Sequence, residues 1–536
     1  MNLLPLVTTA LVIGASLTGC SAMDVASSGS EDGRYNRGFD AGVSYDEGEA
    51  ADPSIPPNPD APAVNPFVAA SHDPFSTFGA DVDTASYQYW RRTVADGYLP
   101  EPVNVRLEDF VNYFRYDYAA PAPDAEAPFA ISIAAAGHPM GRKTDLVRIG
   151  IQARSASETE KRPANLVFLV DTSGSMQSED KLPLVQMVLR ETLDVLDDAD
   201  TVSIVTYASG VSVALSPTPI SERELIEDAI NGFAAGGSTA GADGIDAAYA
   251  QAEAGHIEGG INHVLLLTDG DFNVGPATNE ALLELIRSKR ASGTTLTALG
   301  FGTDNLNDGM MEAVSNAGNG IYGFIGSSDD AVAYVQERML STLEHVAKDM
   351  KIQVEWNPTH VLAYRLLGYE NRAIADEDFR NDVVDAGEVG AEHRVTALYE
   401  IVPVGSTVPM PEGAPALDDG EPKAGEREIA AHELVRVKVR WKSVDASDAD
   451  AAFETTARLL PGDVAASLES SEEDLLWAGA VAALAERLMG SPYAAPGELE
   501  TIGEIAAAQS ARDKDRAEFE LLLEQTRDLL ATNPDR

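Results

Sequence analysis

Residues 164–349 alternate short apolar runs with segments of helical periodicity, and this pattern restricts the possible folds most strongly. The run 165–170 is almost entirely apolar, which is typical of a parallel strand covered on both faces. The alternation predicts a doubly wound, Rossmann-like α/β fold, in which helices cover both faces of a parallel sheet. The predicted strands are 165–170, 201–207, 211–215, 263–268, 294–300 and 320–325, and the predicted helices are 181–198, 221–233, 242–254, 279–291, 308–317 and 329–348.

Segments with different patterns flank this α/β domain on both sides. Residues 351–465 contain strand-like runs that predict a β-sandwich, and residues 466–536 predict C-terminal helices. On the N-terminal side, two short helices are predicted within 86–114, followed by strand-like runs at 129–137 and 145–154. The strand count suggests that these two runs complete the sandwich, so that the α/β domain is inserted into it.

The N-terminal segment indicates export and lipid attachment. Residues 1–19 are apolar and uncharged, and they end in Leu17, Thr18 and Gly19 before Cys20. This ending resembles the lipobox of bacterial lipoproteins, which implies that 1–19 is a signal peptide and that Cys20 carries acyl chains. Cys20 is the only cysteine in the sequence, which excludes internal disulfides and cysteine-ligated metal sites.

Composition separates this anchor from the folded protein. Residues 20–75 are rich in acidic residues, proline, glycine and serine, so we expect a disordered tether. The expected order along the chain is signal peptide 1–19, tether 20–75, N-terminal extension 76–160, α/β domain 161–350, β-rich domain 351–465 and helical C-terminal region 466–536.

The charge of the chain limits its partners. The formal net charge is −49, which excludes binding to nucleic acid phosphates by general electrostatics and disfavours adsorption to anionic lipids. Membrane attachment therefore depends on the lipid at Cys20. We expect a lipid-anchored protein of the cell envelope, on the outer membrane or on a membrane that faces the periplasm, or at the cell surface.

Oxygen-bearing side chains follow two of the predicted strands at the point where each strand ends. Asp171, Ser173 and Ser175 come directly after the first strand of the α/β domain, and Asp269 comes after the strand 263–268. Thr239 ends a Gly-Gly-Ser-Thr loop between them. Ligands of open α/β sheets bind outside the carboxyl ends of the strands. Hydroxyl and carboxylate oxygens are the ligands that hard divalent cations prefer.

This pattern is similar to the metal-ion-dependent adhesion site of von Willebrand factor type A domains. The resemblance implies five metal-site residues: Asp171, Ser173, Ser175, Thr239 and Asp269. The hydroxyls would ligate the metal, the carboxylates would hold coordinated waters, and a partner's carboxylate would take an open position. Ser238 is an alternative to Thr239. The implied cofactor is Mg²⁺, with Mn²⁺ or Ca²⁺ as alternatives. Residues 171–175 alone would also suit an ordinary strand-to-helix turn, but the agreement between the loops and the strand order favours the metal site.

Other parts of the chain look like one bacterial family. Residues 76–118, the loop 269–275 and the stretch 475–493 resemble type A domain lipoproteins with an N-terminal extension and a C-terminal domain of unknown function. The resemblance covers most of the chain after the tether. It implies an architecture rather than an activity, because the function of that family is poorly defined.

Enzymatic alternatives find little support in the sequence. The GxGxxG match at 318–323 leads into a strand instead of opening a helix, which favours a turn over a dinucleotide site. No phosphate-loop, nucleophile-elbow or zinc-protease motif occurs in the sequence. The candidate metal loops contain no His, Lys or Arg, and Lys181 is the nearest base. We therefore expect a non-enzymatic protein that binds an unknown envelope protein. A magnesium-dependent hydrolase and a scaffold with a structural metal are the alternatives.

Overall fold

The computed structural model describes residues 64–80, 83–155, 162–238, 241–270, 279–290, 293–303, 307–339, 343–382, 384, 386–420, 423, 427–444, 446 and 450–533. These residues lie in a compact unit that begins at Asn58. The expected signal peptide, Cys20 and Thr239 lie outside the described residues. Among the described helices, none is long and apolar enough to cross a membrane.

The described elements are numbered in chain order. The strands are β1 (Val68–Ala69), β2 (Phe75–Gly79), β3 (Phe129–Gly137), β4 (Asp145–Ala153), β5 (Ala164–Asp171), β6 (Thr201–Tyr207), β7 (Val211–Pro219), β8 (Ile261–Thr268), β9 (Thr294–Phe301), β10 (Tyr322–Ile325), β11 (His345–Trp356), β12 (Val361–Leu367), β13 (Ala373–Ile374), β14 (Val389–Gly390), β15 (Arg394–Pro403), β16 (Val435–Lys442) and β17 (Phe453–Leu459). The helices are α1 (Ala85–Ala95), α2 (Leu107–Tyr113), α3 (Leu182–Val195), α4 (Arg223–Asn231), α5 (Gly241–Ala254), α6 (Asn279–Arg290), α7 (Asp308–Ala317), α8 (Ser328–Ala333), α9 (Glu473–Met489), α10 (Glu498–Gln509) and α11 (Lys514–Thr532).

Strands β5 to β10 form the central sheet of the α/β domain, in the order β10-β9-β8-β5-β6-β7. Neighbouring strands are parallel except β6 and β7, which pair antiparallel. Leu166 and Phe168 of β5 pack in one cluster with α3, whereas Val167 and Leu169 pack in a second cluster with α5. The apolar run therefore reflects burial on both faces, and the predicted doubly wound fold is confirmed.

Two further sheets form a sandwich, and their strands come from the chain segments before and after the α/β domain. Their strand orders are β1-β12-β15-β4-β3 and β13-β2-β11-β16-β17. Ile149 and Ile151 of the first sheet share one apolar cluster with Ile352, Val354 and Val437 of the second. Strand β4, which precedes the α/β domain, pairs antiparallel with β15, which follows it. The α/β domain is therefore inserted between two parts of one sandwich, as the strand count suggested.

The tether ends earlier than its composition predicts. Composition extends it to residue 75, but residues 64–75 are packed on the sandwich, where β1 pairs antiparallel with β12. Phe67 is fully buried. The amide of Asn65 donates to the carbonyls of Leu366 and Gly368 at 3.1 and 2.8 Å. The prediction is wrong for 64–75 because these contacts are made with residues about 300 positions later in the chain, and composition carries no signal for such distant pairing.

The N-terminal and C-terminal helices pack together in one apolar cluster. Trp90 of α1 contacts Phe519 of α11, with ring centroids 5.8 Å apart, and Phe114 contacts Trp477 of α9 at 5.0 Å. Helix α10 lies in the predicted helical region 466–536, but the sequence did not indicate it as a separate helix. Ile502 of α10 is nevertheless buried in the same cluster.

Candidate metal centre

The first loop of the candidate site begins at the carboxyl end of β5. Asp171 is the last residue of the strand, and Gly174–Gln177 forms a 3-10 turn directly after Ser173. The backbone N–H of Ser173 donates to Oδ1 of Asp171 at 2.8 Å, which fixes the carboxylate against the turn. Asp171 and Ser173 are buried, and Ser175 is partly exposed. The turn therefore carries one buried hydroxyl, that of Ser173, and one partly exposed hydroxyl, that of Ser175, directly after a buried carboxylate.

The two serine hydroxyls of this loop lie at a separation that suits a shared cation. Oγ of Ser173 and Oγ of Ser175 are 2.9 Å apart and share a hydrogen bond. Adjacent ligands of an octahedral Mg²⁺ with bonds of about 2.0–2.1 Å are separated by about 2.8–3.0 Å. The two predicted hydroxyl ligands therefore fit neighbouring positions around one small cation.

The second loop meets the first because β5 and β8 are adjacent parallel strands. Thr268 ends β8, and its Oγ1 donates to Oδ2 of Asp171 at 3.0 Å. The N–H of Gly270 donates to the same Thr268 Oγ1 at 3.2 Å. Between these two residues, Asp269 is fully buried. The predicted carboxylates of the two loops are thus brought to one edge of the sheet.

The third loop docks on the first through main-chain hydrogen bonds. The N–H of Gly236 donates to the carbonyl of Thr172 at 2.8 Å, and the N–H of Gly174 donates to the carbonyl of Gly237 at 3.1 Å. Ser238 donates to Oγ of Ser209 from its N–H at 3.0 Å and from its hydroxyl at 3.4 Å. The hydroxyl of Ser238 is therefore directed to Ser209. Thr239, the first choice for the third hydroxyl, lies outside the described residues, and its position stays a prediction.

Two buried carboxylates create a negative potential at this edge. Burial raises the pKa of Asp171, hydrogen bonds from Ser173 and Thr268 lower it, and the carboxylate of Asp269 raises it further. Lys181 supplies a positive charge, because its Nζ lies 3.1 Å from Oδ2 of Asp269 and its side chain is only 2% exposed. The sequence identified Lys181 only as the nearest base, and it gave no signal for the ion pair.

The donor set at this edge consists of hydroxyl and carboxylate oxygens. Within the residues that the structure describes, no group of three or more His, Cys, Asp or Glu side chains is placed to hold a metal ion. The described residues of the three loops offer only oxygen donors, rather than the imidazole and thiolate ligands that softer metals prefer. The hydroxyl pair with two buried carboxylates fits a hard divalent cation instead.

Comparison with known proteins agrees with this architecture. The family model for the von Willebrand factor type A domain matches residues 165–338. A second model, "Uncharacterized protein YfbK, C-terminal", matches 341–529, and a third, "von Willebrand factor", matches 60–148. Uncharacterized protein YfbK of Escherichia coli (strain K12) is 36% identical over 468 residues, which cover 86% of this chain and 79% of that protein. This chain belongs to the YfbK family. The family joins a type A domain to a C-terminal region without an assigned function, as the resemblance implied.

More distant similarities are confined to parts of the YfbK-family chain or to its fold. Inter-alpha-trypsin inhibitor heavy chain H3 of Mesocricetus auratus is 26% identical over 262 residues, which cover 45% of this chain and 29% of that protein. A solved structure, von Willebrand factor type A from Catenulispora acidiphila, is 15% identical with a TM-score of 0.43 and covers 73% of this chain and 89% of its own. Type A domains commonly mediate interactions between proteins.

Proposed function

We propose that this YfbK-family protein binds other envelope proteins through a divalent cation held at the carboxyl edge of the α/β sheet. The observation that carries the proposal is the pair of serine hydroxyls, Ser173 and Ser175, 2.9 Å apart at the sheet edge that also carries the buried Asp171 and Asp269. When bound, a divalent cation would supply positive charge and an open coordination position for an anionic oxygen. We propose Mg²⁺, with Mn²⁺ and Ca²⁺ as alternatives.

Each residue of the site has a proposed part in holding the cation. Ser173 and Ser175 would provide two hydroxyl ligands, and Thr239 would provide a third. Asp171 and Asp269 would balance the charge and orient coordinated waters, because both are buried and fixed by neighbouring groups. The loop faces solvent at its exposed Gly174, and a partner protein would approach the bound cation from this side.

A binding role is better supported than hydrolysis. Hydrolysis with a metal also needs a general base or a cation that clamps the leaving group. The described parts of the three loops contain no His, Lys or Arg. Lys181, the nearest base, is paired with Asp269, so its use as a clamp would require breaking a buried ion pair. We therefore propose a non-enzymatic protein, with a hydrolase or a scaffold with a structural metal as the alternatives.

The proposed setting is the cell envelope, with a lipid on Cys20 as the anchor. The support is the lipobox-like ending of 1–19 and the acidic tether that follows it. A Cys20→Ala variant is expected to move from the membrane fraction to the soluble fraction. Cell fractionation with an antibody checks this outcome, and retention of the variant in the membrane would contradict it.

The metal site is tested first by calorimetric titration of the detergent-solubilised full-length protein with Mg²⁺. Wild-type protein is expected to bind one ion, and the double variant Ser173→Ala/Ser175→Ala is expected to bind none. Ser178→Ala changes an exposed serine that follows the same turn, and it serves as the matched control with wild-type affinity. Equal titration curves for wild type and the double variant would reject the site.

The binding role is tested by capture of solubilised envelope proteins on the immobilised protein. A partner retained by wild type with Mg²⁺, and lost with a chelator or with Asp171→Ala, supports the proposal. Identical retention in all three conditions would reject metal-dependent binding and favour a scaffold with a structural metal.

A further inference from the structure

The strongest unassigned feature near the site is the buried ion pair between Lys181 and Asp269. Nζ of Lys181 lies 3.1 Å from Oδ2 of Asp269, and the two side chains are 2% and 0% exposed. Lysine is seldom buried to this extent unless its charge is compensated. The pair thus places a fixed positive charge beside the proposed cation site, on a residue that is not among its ligands.

The fold gives the lysine a defined position. Lys181 directly precedes α3 and is the residue at its N-cap. Gly302, which follows β9 and has a φ of +70°, lies against its aliphatic stem. A Cβ at Gly302 would overlap Cε of Lys181, so a glycine there leaves room for the stem. The ammonium group is therefore held by both the stem packing and the carboxylate.

The charges of the site show what this lysine changes. Asp171 and Asp269 contribute two negative charges, and Lys181 reduces the sum to one. Together with a divalent cation, these three residues would carry one net positive charge, whereas without Lys181 the two carboxylates and the cation would be neutral. A positive site attracts a carboxylate, and a neutral site does so only through the local field of the metal.

We propose that Lys181 is a positioning residue that lowers the affinity of the site for the divalent cation and raises the affinity of the loaded site for a carboxylate ligand. This inference rests on the proposed function, because it assumes that a cation binds at Ser173 and Ser175. The two effects have opposite signs. A role limited to fold stability would move both affinities in the same direction or leave both unchanged.

The test measures both affinities in the full-length protein with Mg²⁺ alone and then with acetate as the carboxylate probe. Lys181→Met removes the charge, and Lys181→Gln removes it but keeps a hydrogen-bond donor for Asp269. Both variants are expected to bind Mg²⁺ about tenfold more tightly and to bind acetate in the Mg²⁺-loaded state about tenfold more weakly. Lys181→Arg keeps the charge. Its affinities for Mg²⁺ and for acetate are expected to stay close to those of the wild type.

The outcomes separate the inference from the proposed function. If wild-type protein fails to bind Mg²⁺, the proposed function fails and the inference fails with it. If wild type binds Mg²⁺ but Lys181→Gln shifts both affinities together, or neither, only the inference is overturned. If a variant is too unstable for titration, its Mg²⁺ binding is measured instead by thermal unfolding. The rise in Tm on adding Mg²⁺ is expected to be larger in the charge-removing variants than in wild type, and an equal or smaller rise overturns the inference.

Discussion

Thr268 Oγ1 donates a hydrogen bond of 3.0 Å to Oδ2 of Asp171 and thereby joins the carboxyl ends of two adjacent parallel strands. The same hydroxyl accepts the N–H of Gly270 at 3.2 Å. One side chain thus orders both loops that carry the acidic residues of the candidate site. The residue was not among those predicted from the sequence, although it directly precedes Asp269.

Replacement of Thr268 by valine is expected to weaken the site and the fold together. Asp171 would lose a buried donor, which costs about 1–3 kcal/mol of unfolding free energy. The pKa of Asp171 would rise further, and Mg²⁺ affinity would fall. Urea unfolding and calorimetric titration measure the two effects. Thr268→Ser keeps the hydroxyl and is the control, so a serine variant as weak as the valine variant would contradict this explanation.

Gly237 is expected to be intolerant of a side chain because of its contact with Ser209. Its φ is +91°, and a Cβ there would overlap Oγ of Ser209. Gly237→Ala is expected to lose about 1–2 kcal/mol from backbone strain alone. It is also expected to lower Mg²⁺ affinity, because the loop holds the N–H of Gly174.

The matched control for this change is Gly405→Ala, where φ is +95° and nothing lies within 4 Å of the added Cβ. It should lose similar stability but keep wild-type Mg²⁺ affinity. Thermal unfolding and titration of both variants check this difference. Equal Mg²⁺ affinities in the two variants would contradict a role of the third loop in metal binding.

Two buried histidines predict a loss of stability in mild acid. Burial lowers the pKa of His138 to about 4 and that of His263 to about 3. Both are therefore neutral in the folded protein at pH values where the unfolded chain, with histidine pKa near 6.5, takes up protons. Their contribution is complete above about pH 6.5 and is lost as the pH falls toward 4, by up to about 1.4 kcal/mol per pH unit for each histidine.

This dependence is measured by urea unfolding at a series of pH values between 7 and 4.5. Carboxylates also titrate in this range, so the comparison is made between variants. His263→Gln is expected to reduce the slope by about 1.4 kcal/mol per pH unit. His432→Gln changes an exposed histidine and is the control for the substitution itself. A wild-type slope in the first variant would show that His263 is not neutral in the fold.

Arg365 is expected to be essential to the contact between the sandwich and the C-terminal helices. Its guanidinium donates to Glu400 of β15 at 2.6 Å and to Glu486 of α9 at 2.8 Å. Burial acts to raise the pKa of Glu400, but Arg365 and its neighbours lower it to about 2. Arg365→Met would leave two buried carboxylates without this partner, and we expect a loss of about 3–5 kcal/mol.

The control is Arg223→Met, which removes an arginine that is 41% exposed and paired with the exposed Asp194. Exposed pairs contribute about 0–1 kcal/mol, so this variant should unfold close to wild type in guanidinium chloride. Similar losses of unfolding free energy in the two arginine variants would contradict a larger contribution of the buried Arg365 network to stability.

The sequence by itself determined the class of the central domain and the position of its candidate site. Strand β5 carries apolar residues on both faces, and its alternation with helices is a local pattern that a single sequence displays. Asp171 and Asp269 each follow an apolar strand directly, and parallel strands place their carboxyl ends at one edge. The fold was therefore predictable from short-range periodicity. The meeting of the two loops at one sheet edge was predictable from the geometry of a parallel sheet.

Only the tertiary structure decided which distant groups complete these elements. Lys181 and Asp269 are 88 residues apart, and their ion pair depends on the docking of the segment before α3 against the end of β8. Residues 64–75 have the composition of a tether, yet Val68 and Ala69 within them pair with a strand almost 300 residues away. Composition and periodicity describe neighbours along the chain, whereas burial of a charge or pairing of a short strand is stabilised by groups that the folded chain brings together.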